Sequence, residues 1–244
     1  MTVETFRYLP DPRRRRPPLV DVHRPSGPGP HPAVLVVHGG GFVVGSRTMR
    51  AVRTVTRAAT DAGYLAISFD YRLFGRGGRL DEAIADTIAA TRWWRARARQ
   101  LGGDPEDLSV VGISAGAAVA TSAARALGPL RRLAGIYGPY DFTNLPGRSP
   151  RLAARMLLRT ADEATWRDRS PARSCDLDVP LALLHGLQDG LVDVAHTLSF
   201  AAWRREQGLP VEVHLYDGIG HAFMRHPELP VTRQAVADLL AFLA

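Results

Sequence analysis

Ser114 has the strongest chemical context in the chain. It lies in Gly112-Ile113-Ser114-Ala115-Gly116, directly after the apolar run Leu108-Ser109-Val110-Val111 and before Ala117-Ala118-Val119-Ala120. A strand that turns at once into a small-residue helix holds the serine in a strained backbone conformation, and glycines leave room on its flanks. Its hydroxyl then projects at the carboxyl end of a sheet, beside a helix N-terminus. A second signal precedes it, His38-Gly39-Gly40-Gly41-Phe42, which follows the run Ala33–Val37. Consecutive glycines turn backbone N–H groups toward a ligand without side chains in the way, and such donors stabilise the oxyanion of an acyl transfer. At this composition Gly-x-Ser-x-Gly is expected about 0.09 times by chance and His-Gly-Gly-Gly about 0.007 times, so the glycine run is the more specific signal. Its competing reading is a phosphate loop, but the run carries neither a Gly-Lys-Ser/Thr sequence nor a Gly-x-Gly-x-x-Gly fingerprint.

A nucleophilic serine needs a base, and the base needs an orienting carboxylate. Of the eight histidines, His221 stands in Asp217-Gly218-Ile219-Gly220-His221-Ala222-Phe223, between the last apolar strand and the last helical segment. From there a side chain can reach over a sheet edge. His23, His31 and His196 have no comparable placement, His214 falls within a strand, and His226 adjoins a proline. For the acid, the run Leu181–Leu184 leads into His185-Gly186-Leu187-Gln188-Asp189, and Asp189 stands in the turn directly after it. Asp193 is the competitor and reads as a helix N-cap. Cys175, in Arg173-Ser174-Cys175-Asp176, has no glycine turn or following helix to present it as a nucleophile. No His-x-x-x-His spacing or acidic cluster points to a metal. Phe42, Tyr71, Phe74, Tyr140, Phe142 and Phe223 each adjoin one of these motifs and are candidates for lining a substrate pocket.

The elements that must position these residues alternate along the chain. Candidate strands are 4–8, 19–23, 33–37, 64–69, 108–111, 133–137, 181–184 and 211–216. Candidate helices are 47–62, 81–101, 115–126, 194–207 and 231–243. The first two strands read as an antiparallel pair at a sheet edge. Later strands such as Ala33-Val34-Leu35-Val36-Val37 are apolar without alternation, as a parallel sheet covered on both faces requires. The expectation is one α/β domain over residues 1–244. The stretch 140–179 is too long for a simple crossover and reads as a small cap insertion. Trp93 and Trp94 fall in one helix, with one expected buried and the other partly exposed.

Composition sets the outer bounds. The chain has 244 residues, 45% of them hydrophobic and 23% charged, which excludes disorder and fibre. A single cysteine excludes an intramolecular disulfide framework. No apolar run approaches the roughly 20 residues of a membrane span, and the N-terminus lacks a signal core, so a soluble cytoplasmic protein is expected. A net charge of +7 raises the question of nucleic acid. The basic residues are scattered, however, and the one cluster, Arg13-Arg14-Arg15-Arg16, lies between Pro12 and Pro17 as a solvated arm without aromatic interleaving.

Five segments in order, His38 to Phe42, Tyr71-Arg72-Leu73, Gly112 to Gly116, Asp189 to Asp193 and Gly220 to Phe223, resemble the α/β-hydrolases. Within that superfamily the chain is similar to esterases of the hormone-sensitive-lipase type and their compact bacterial relatives. The resemblance implies a mostly parallel sheet flanked by helices, and a carboxylesterase acting through Ser114, Asp189 and His221. The oxyanion would be held by the N–H groups of Gly40, Gly41 and Ala115. No cofactor or metal is expected, the expected partner is a small-molecule ester with no nucleic acid or membrane, and the oligomeric state is left open between monomer and homodimer. The chain departs from the pattern at Ala117, where relatives usually carry a glycine, and at Ile113, where many carry an acid. The short stretch before His38 implies a smaller cap and a more open site, like feruloyl-esterase-like and arylformamidase-like members. An arylformamidase, a peptidase, a biosynthetic acyl hydrolase or transferase, and a non-catalytic binding protein on the same fold are the alternatives.

Overall fold

The computed structural model describes residues 2–10, 17–145 and 149–244; the Arg13–Arg16 arm lies outside the described residues. The strands are β1 (Thr2–Arg7), β2 (Leu19–Arg24), β3 (His31–Val37), β4 (Leu65–Phe69), β5 (Gly103–Ile113), β6 (Arg132–Ile136), β7 (Leu181–Gly186) and β8 (Val211–Tyr216). They form one sheet in the order β1-β2-β4-β3-β5-β6-β7-β8. β2 pairs antiparallel with both β1 and β4, and the remaining pairings are parallel. The long helices are α1 (Arg50–Asp61), α2 (Leu80–Arg97), α3 (Ala115–Ala123), α7 (Ala195–Glu206) and α8 (Pro230–Leu243). Three shorter ones, α4 (Pro150–Leu158), α5 (Glu163–Arg169) and α6 (Pro171–Ser174), fill the connection between β6 and β7.

Period-two geometry explains why apolar strands without alternation suit this sheet. In β3, Ala33, Leu35 and Val37 join the core layer containing Trp94, Ala118 and Phe200, while Val34 and Val36 join the opposite layer with Val52, Leu239 and Phe242. Both faces are dry, so both must be apolar. Among the described residues, no helix is long and apolar enough to cross a membrane.

Two expectations change at the level of elements, and one connection shows how it is held. The first helix starts at Arg50 rather than residue 47 because Arg47 is committed elsewhere. Its N–H donates to Asp70 Oδ1 at 2.8 Å and its Nη1 to Asp70 Oδ2 at 2.6 Å, while Nε lies 2.8 Å from Asp21 Oδ1. Both tryptophans of α2 are buried, correcting the expectation that one would be partly exposed. Trp94 packs over Gly103, and Trp93 is covered by Phe6 of the edge strand, their ring centroids 5.3 Å apart. Finally, the connection between β6 and β7 is fastened to the body of the fold. Arg159 and Arg169 pair with Glu82 and Asp81 in the first turn of α2, and His196 of α7 bonds both Asp141 N–H and Asn144 C=O.

The last stretch of that connection is held by Arg204. Its side chain is fully buried in α7, and its guanidinium donates to the carbonyls of Cys175, Leu177, Val179 and Pro210 at 2.6–3.1 Å. These carbonyls flank the entrances to β7 and β8. An apolar replacement leaves four acceptors without their donor, each costing roughly 1–3 kcal/mol if it stays dry. Arg204→Leu is therefore expected to lower unfolding free energy in urea by at least about 3 kcal/mol, and a loss below about 1 kcal/mol would contradict this role.

Candidate active site

Ser114 sits between β5 and α3 with φ 55° and ψ −125°, a conformation that costs a non-glycine residue of order 1–3 kcal/mol. Two features hold it there. The Ser114 N–H donates to Ile136 C=O at 2.8 Å, continuing the β5/β6 ladder beyond the end of β5. α3 also lies so close to β3 that a Cβ at Gly116 would stand 2.3 Å from the carbonyl oxygens of Val37 and His38, so only glycine fits.

Ser114 Oγ lies 2.9 Å from His221 Nε2, and His221 Nδ1 lies 2.7 Å from Asp189 Oδ2. Because the carboxylate can only accept, Nδ1 carries the proton and Nε2 presents its lone pair to the serine hydroxyl. Asp189 is fully buried at its side chain, and its Oδ1 accepts from the N–H groups of Leu191 and Val192, both at 2.9 Å. Burial pushes its carboxyl upward, but hydrogen bonds from His185, His221 and Val192 N–H outweigh that and hold it well below the usual carboxylate range. The aspartate is thus a fixed anion. Asp193 instead stands one residue before Val194, the N-cap of α7; its Oδ1 accepts from Ala195 N–H at 2.8 Å, and among the described residues it makes no hydrogen bond to His221.

The glycine run curls over the same edge. Gly40 has φ 116°, and a Cβ there would collide with Val44 C=O at 1.9 Å; Val43 and Val44 N–H both turn back to Gly40 C=O. Among the described residues, no protein acceptor takes the N–H groups of Gly40, Gly41 or Ala115. The loop's shape depends on His38, which is fully buried and stacked on Tyr71 with ring centroids 4.0 Å apart. Burial lowers its imidazole to about 4, against the upward pull of its bond to Gly39 C=O and of Asp70, so the ring is neutral near pH 7. Tyr71 O–H donates to His38 C=O at 2.9 Å. Next to it, Arg72 forks onto the buried Asp86 of α2 at 2.9–3.2 Å, fixing the loop that carries Tyr71.

Several expected pocket residues have other positions. Tyr140 and Phe142 are fully buried, Tyr140 against Phe200 and Phe142 beneath Ser170, so neither lines a pocket. Both belong to the β6–β7 connection, and Tyr140 is packed between Phe200 of α7 and Gly135 and Gly138. Phe223 is buried against Tyr137 and Tyr216. Tyr71 is buried beneath the glycine loop as its strut. Phe42, at φ 63°, stays half-buried at the site, and its C=O accepts from Phe74 N–H at 2.7 Å. The exposed apolar groups at this edge are instead Val43, Val44, Leu187 and Leu191.

Two residues at the site escaped sequence reasoning. Tyr137, at φ 41° after β6, packs edge-on against the His221 ring with centroids 4.7 Å apart, and nothing in Tyr137-Gly138-Pro139 announces this. His185 contacts Asp189 from the end of β7; its spacing of four residues before the aspartate was the available signal.

A parallel sheet whose carboxyl edge brings a serine, an aspartate and a histidine together in that chain order is the arrangement of the α/β hydrolases. A sequence profile described as alpha/beta hydrolase fold matches residues 34–225, and the chain belongs to that family. Among similar proteins is a probable carboxylic ester hydrolase, LipM of Mycobacterium tuberculosis, 28% identical over 87% of this chain and 56% of its own length. Another is an ethyl acetate hydrolase of Pseudomonas putida, 31% identical over 79% of this chain and 66% of its own. The chain thus spans between about half and two thirds of these relatives. Among solved structures, a hyperthermophilic esterase from Pyrobaculum calidifontis superposes with TM-score 0.82 at 25% identity, covering 99% of this chain and 85% of that one.

Tyr71→Phe keeps the stacking on His38 and removes only the hydroxyl donor to the glycine loop. We expect kcat/KM on an activated ester to fall about tenfold, chiefly in kcat, with stability reduced by about 1 kcal/mol. Unchanged kcat in that variant would show that the loop needs no strut.

Proposed function

We propose that this chain is a serine carboxylesterase that cleaves small acyl or aryl esters through an acyl-enzyme on Ser114. The observation that carries the reading is the unbroken relay of 2.9 Å from Ser114 Oγ to His221 Nε2 and 2.7 Å from His221 Nδ1 to Asp189 Oδ2. Ser114 Oγ attacks the ester carbonyl as its proton passes to His221 Nε2, and Asp189 stabilises the imidazolium. The carbonyl oxygen, now an anion, accepts from the N–H groups of Gly40, Gly41 and Ala115, each worth roughly 3 kcal/mol by analogy with measured donors. As the intermediate collapses, the C–O bond to the alcohol breaks and His221 returns its proton to the leaving oxygen. Water then adds to the acyl-enzyme carbonyl, giving its proton to His221. Collapse releases the carboxylic acid, and the proton goes back to Ser114 Oγ.

The substrate class is supported by the exposed apolar groups beside the site, Val43, Val44 and Leu191, and by the names of the esterase relatives. In this reading the chain is one catalytic domain, and residues 140–179 are a small cap fastened to α2 and α7. The partner is a small-molecule ester rather than nucleic acid or membrane, and a reducing cytoplasm suits the single buried thiol of Cys175.

The test is a panel of p-nitrophenyl esters from short to long acyl chains, set beside N-formyl aryl amides and dipeptidyl amides, with Ser114→Ala as the control. Turnover of the short esters with a burst, abolished in Ser114→Ala, is the expected result. Normal turnover in Ser114→Ala would sink the assignment of the nucleophile. Faster turnover of the amides would overturn the ester preference.

A further inference from the structure

Four hydrogen-bond donors converge on Asp189, and two of them are imidazoles. Leu191 and Val192 N–H occupy Oδ1, while Oδ2 accepts from His221 Nδ1 at 2.7 Å and lies 3.2 Å from His185 Nε2. An ionised carboxylate offers about four lone-pair sites, so this one is filled. His185 is fully buried at the end of β7, and its protonation pattern is set by its neighbours. Nε2 faces Asp189 Oδ2 and also Val192 C=O at 3.0 Å, both of which only accept, so Nε2 carries hydrogen. Nδ1 lies 2.7 Å from the buried hydroxyl of Thr197 on α7, which donates to it.

We propose that His185 is a positioning residue for Asp189: a second imidazole, held with hydrogen on Nε2 by the acceptors it faces and anchored at Nδ1 by Thr197, that shares the carboxylate oxygen facing His221. The inference rests on the reading of Ser114, His221 and Asp189 as the working groups, and it concerns how the aspartate acts within that reading. Sharing has two consequences. The carboxylate cannot rotate away from His221, because each oxygen is tied on a different side. Its pull on the His221 N–H is also moderated, because part of the Oδ2 charge is spent on His185. A base held by an overly strong anion would stay protonated and inactive to a higher pH; His185 counters that tendency. Among the described residues, the titratable and charged groups around the pair include His221 itself, Tyr137 beyond β6 with Arg225 near it, and His196 on α7 with Asp141 and Asp193 near it. Tyr137 and His196 are buried, and in each burial disfavours the charged form, so neither charges near pH 7.

The variants His185→Leu, His185→Gln and Thr197→Val separate this role from plain packing. His221 is followed directly by the 13Cε1 NMR titration of labelled histidines, and indirectly by the acidic limb of kcat/KM on p-nitrophenyl acetate. His185→Leu removes the competing donor. Both midpoints are expected to rise by about half a pH unit or more, with kcat reduced about tenfold as the carboxylate loosens. In His185→Gln an amide N–H can take the donor's place, so both midpoints should return most of the way to the wild-type value. Thr197→Val leaves the imidazole in place but removes its anchor at Nδ1, and should move the midpoint in the same direction by less. If His185→Leu fails to fold, Thr197→Val carries the test. An unchanged His221 midpoint in the folded variants, whatever happens to kcat, would overturn the proposal. Wild-type enzyme inactive on every ester and amide would instead count against the esterase reading, and the NMR titration would still decide the role of His185.

Discussion

Backbone hydrogen bonding between neighbouring parallel strands runs past the strand ends, and the site hangs on those last bonds. Ser114 N–H reaches Ile136 C=O, Tyr137 N–H reaches Leu184 C=O, Leu187 N–H reaches Tyr216 C=O, and Gln188 N–H reaches Ile219 C=O, all at 2.7–3.1 Å. Each loop is thereby set in register with the next. The serine, the aspartate and the histidine come from the loops after three different strands, yet they share one rigid frame. Preorganisation of this kind requires that the frame not move when charge develops, and a buried parallel sheet supplies that stiffness.

Around that frame the polar parts are fixed by neighbours whose own needs are met. Tyr71 holds the His38 carbonyl, the Arg72–Asp86 pair holds the Tyr71 loop, and Arg47 ties the far end of the glycine loop to Asp70 and Asp21. On the other side Thr197 anchors His185 at Nδ1, and His185 meets Asp189 through Nε2. These groups share a logic. A flexible glycine loop and a lone carboxylate become precise only when a second layer of donors and acceptors leaves them one arrangement.

Much of this was legible in the sequence because its cause is local. A sharp turn at Ser114 needs glycines, a dry strand such as β3 needs continuous apolar residues, and a histidine in the loop after the last strand is the one placed to reach over the sheet edge. The rest depends on distant partners. Arg47 looked like helix because helical periodicity continues through it, but Asp70, 23 residues on, takes both its N–H and its guanidinium. Tyr140 and Phe142 adjoin the sheet edge in sequence, yet the helices that follow cover them. Arg204 lies in a helical segment with nothing local to mark it, and its four acceptors come from residues 175–179 and 210. His185 was visible as a residue but not as a partner, because its meaning depends on where the turn after β7 points Asp189.

The central question of the chemistry is whether Ser114 is a nucleophile primed by the relay. The most direct measurement is treatment of the protein with a fluorophosphonate, followed by intact mass and peptide mapping. One adduct per chain on the peptide containing Ser114, absent when His221 is replaced by alanine, is the predicted result. No adduct, or an adduct elsewhere with Ser114 free, would contradict it.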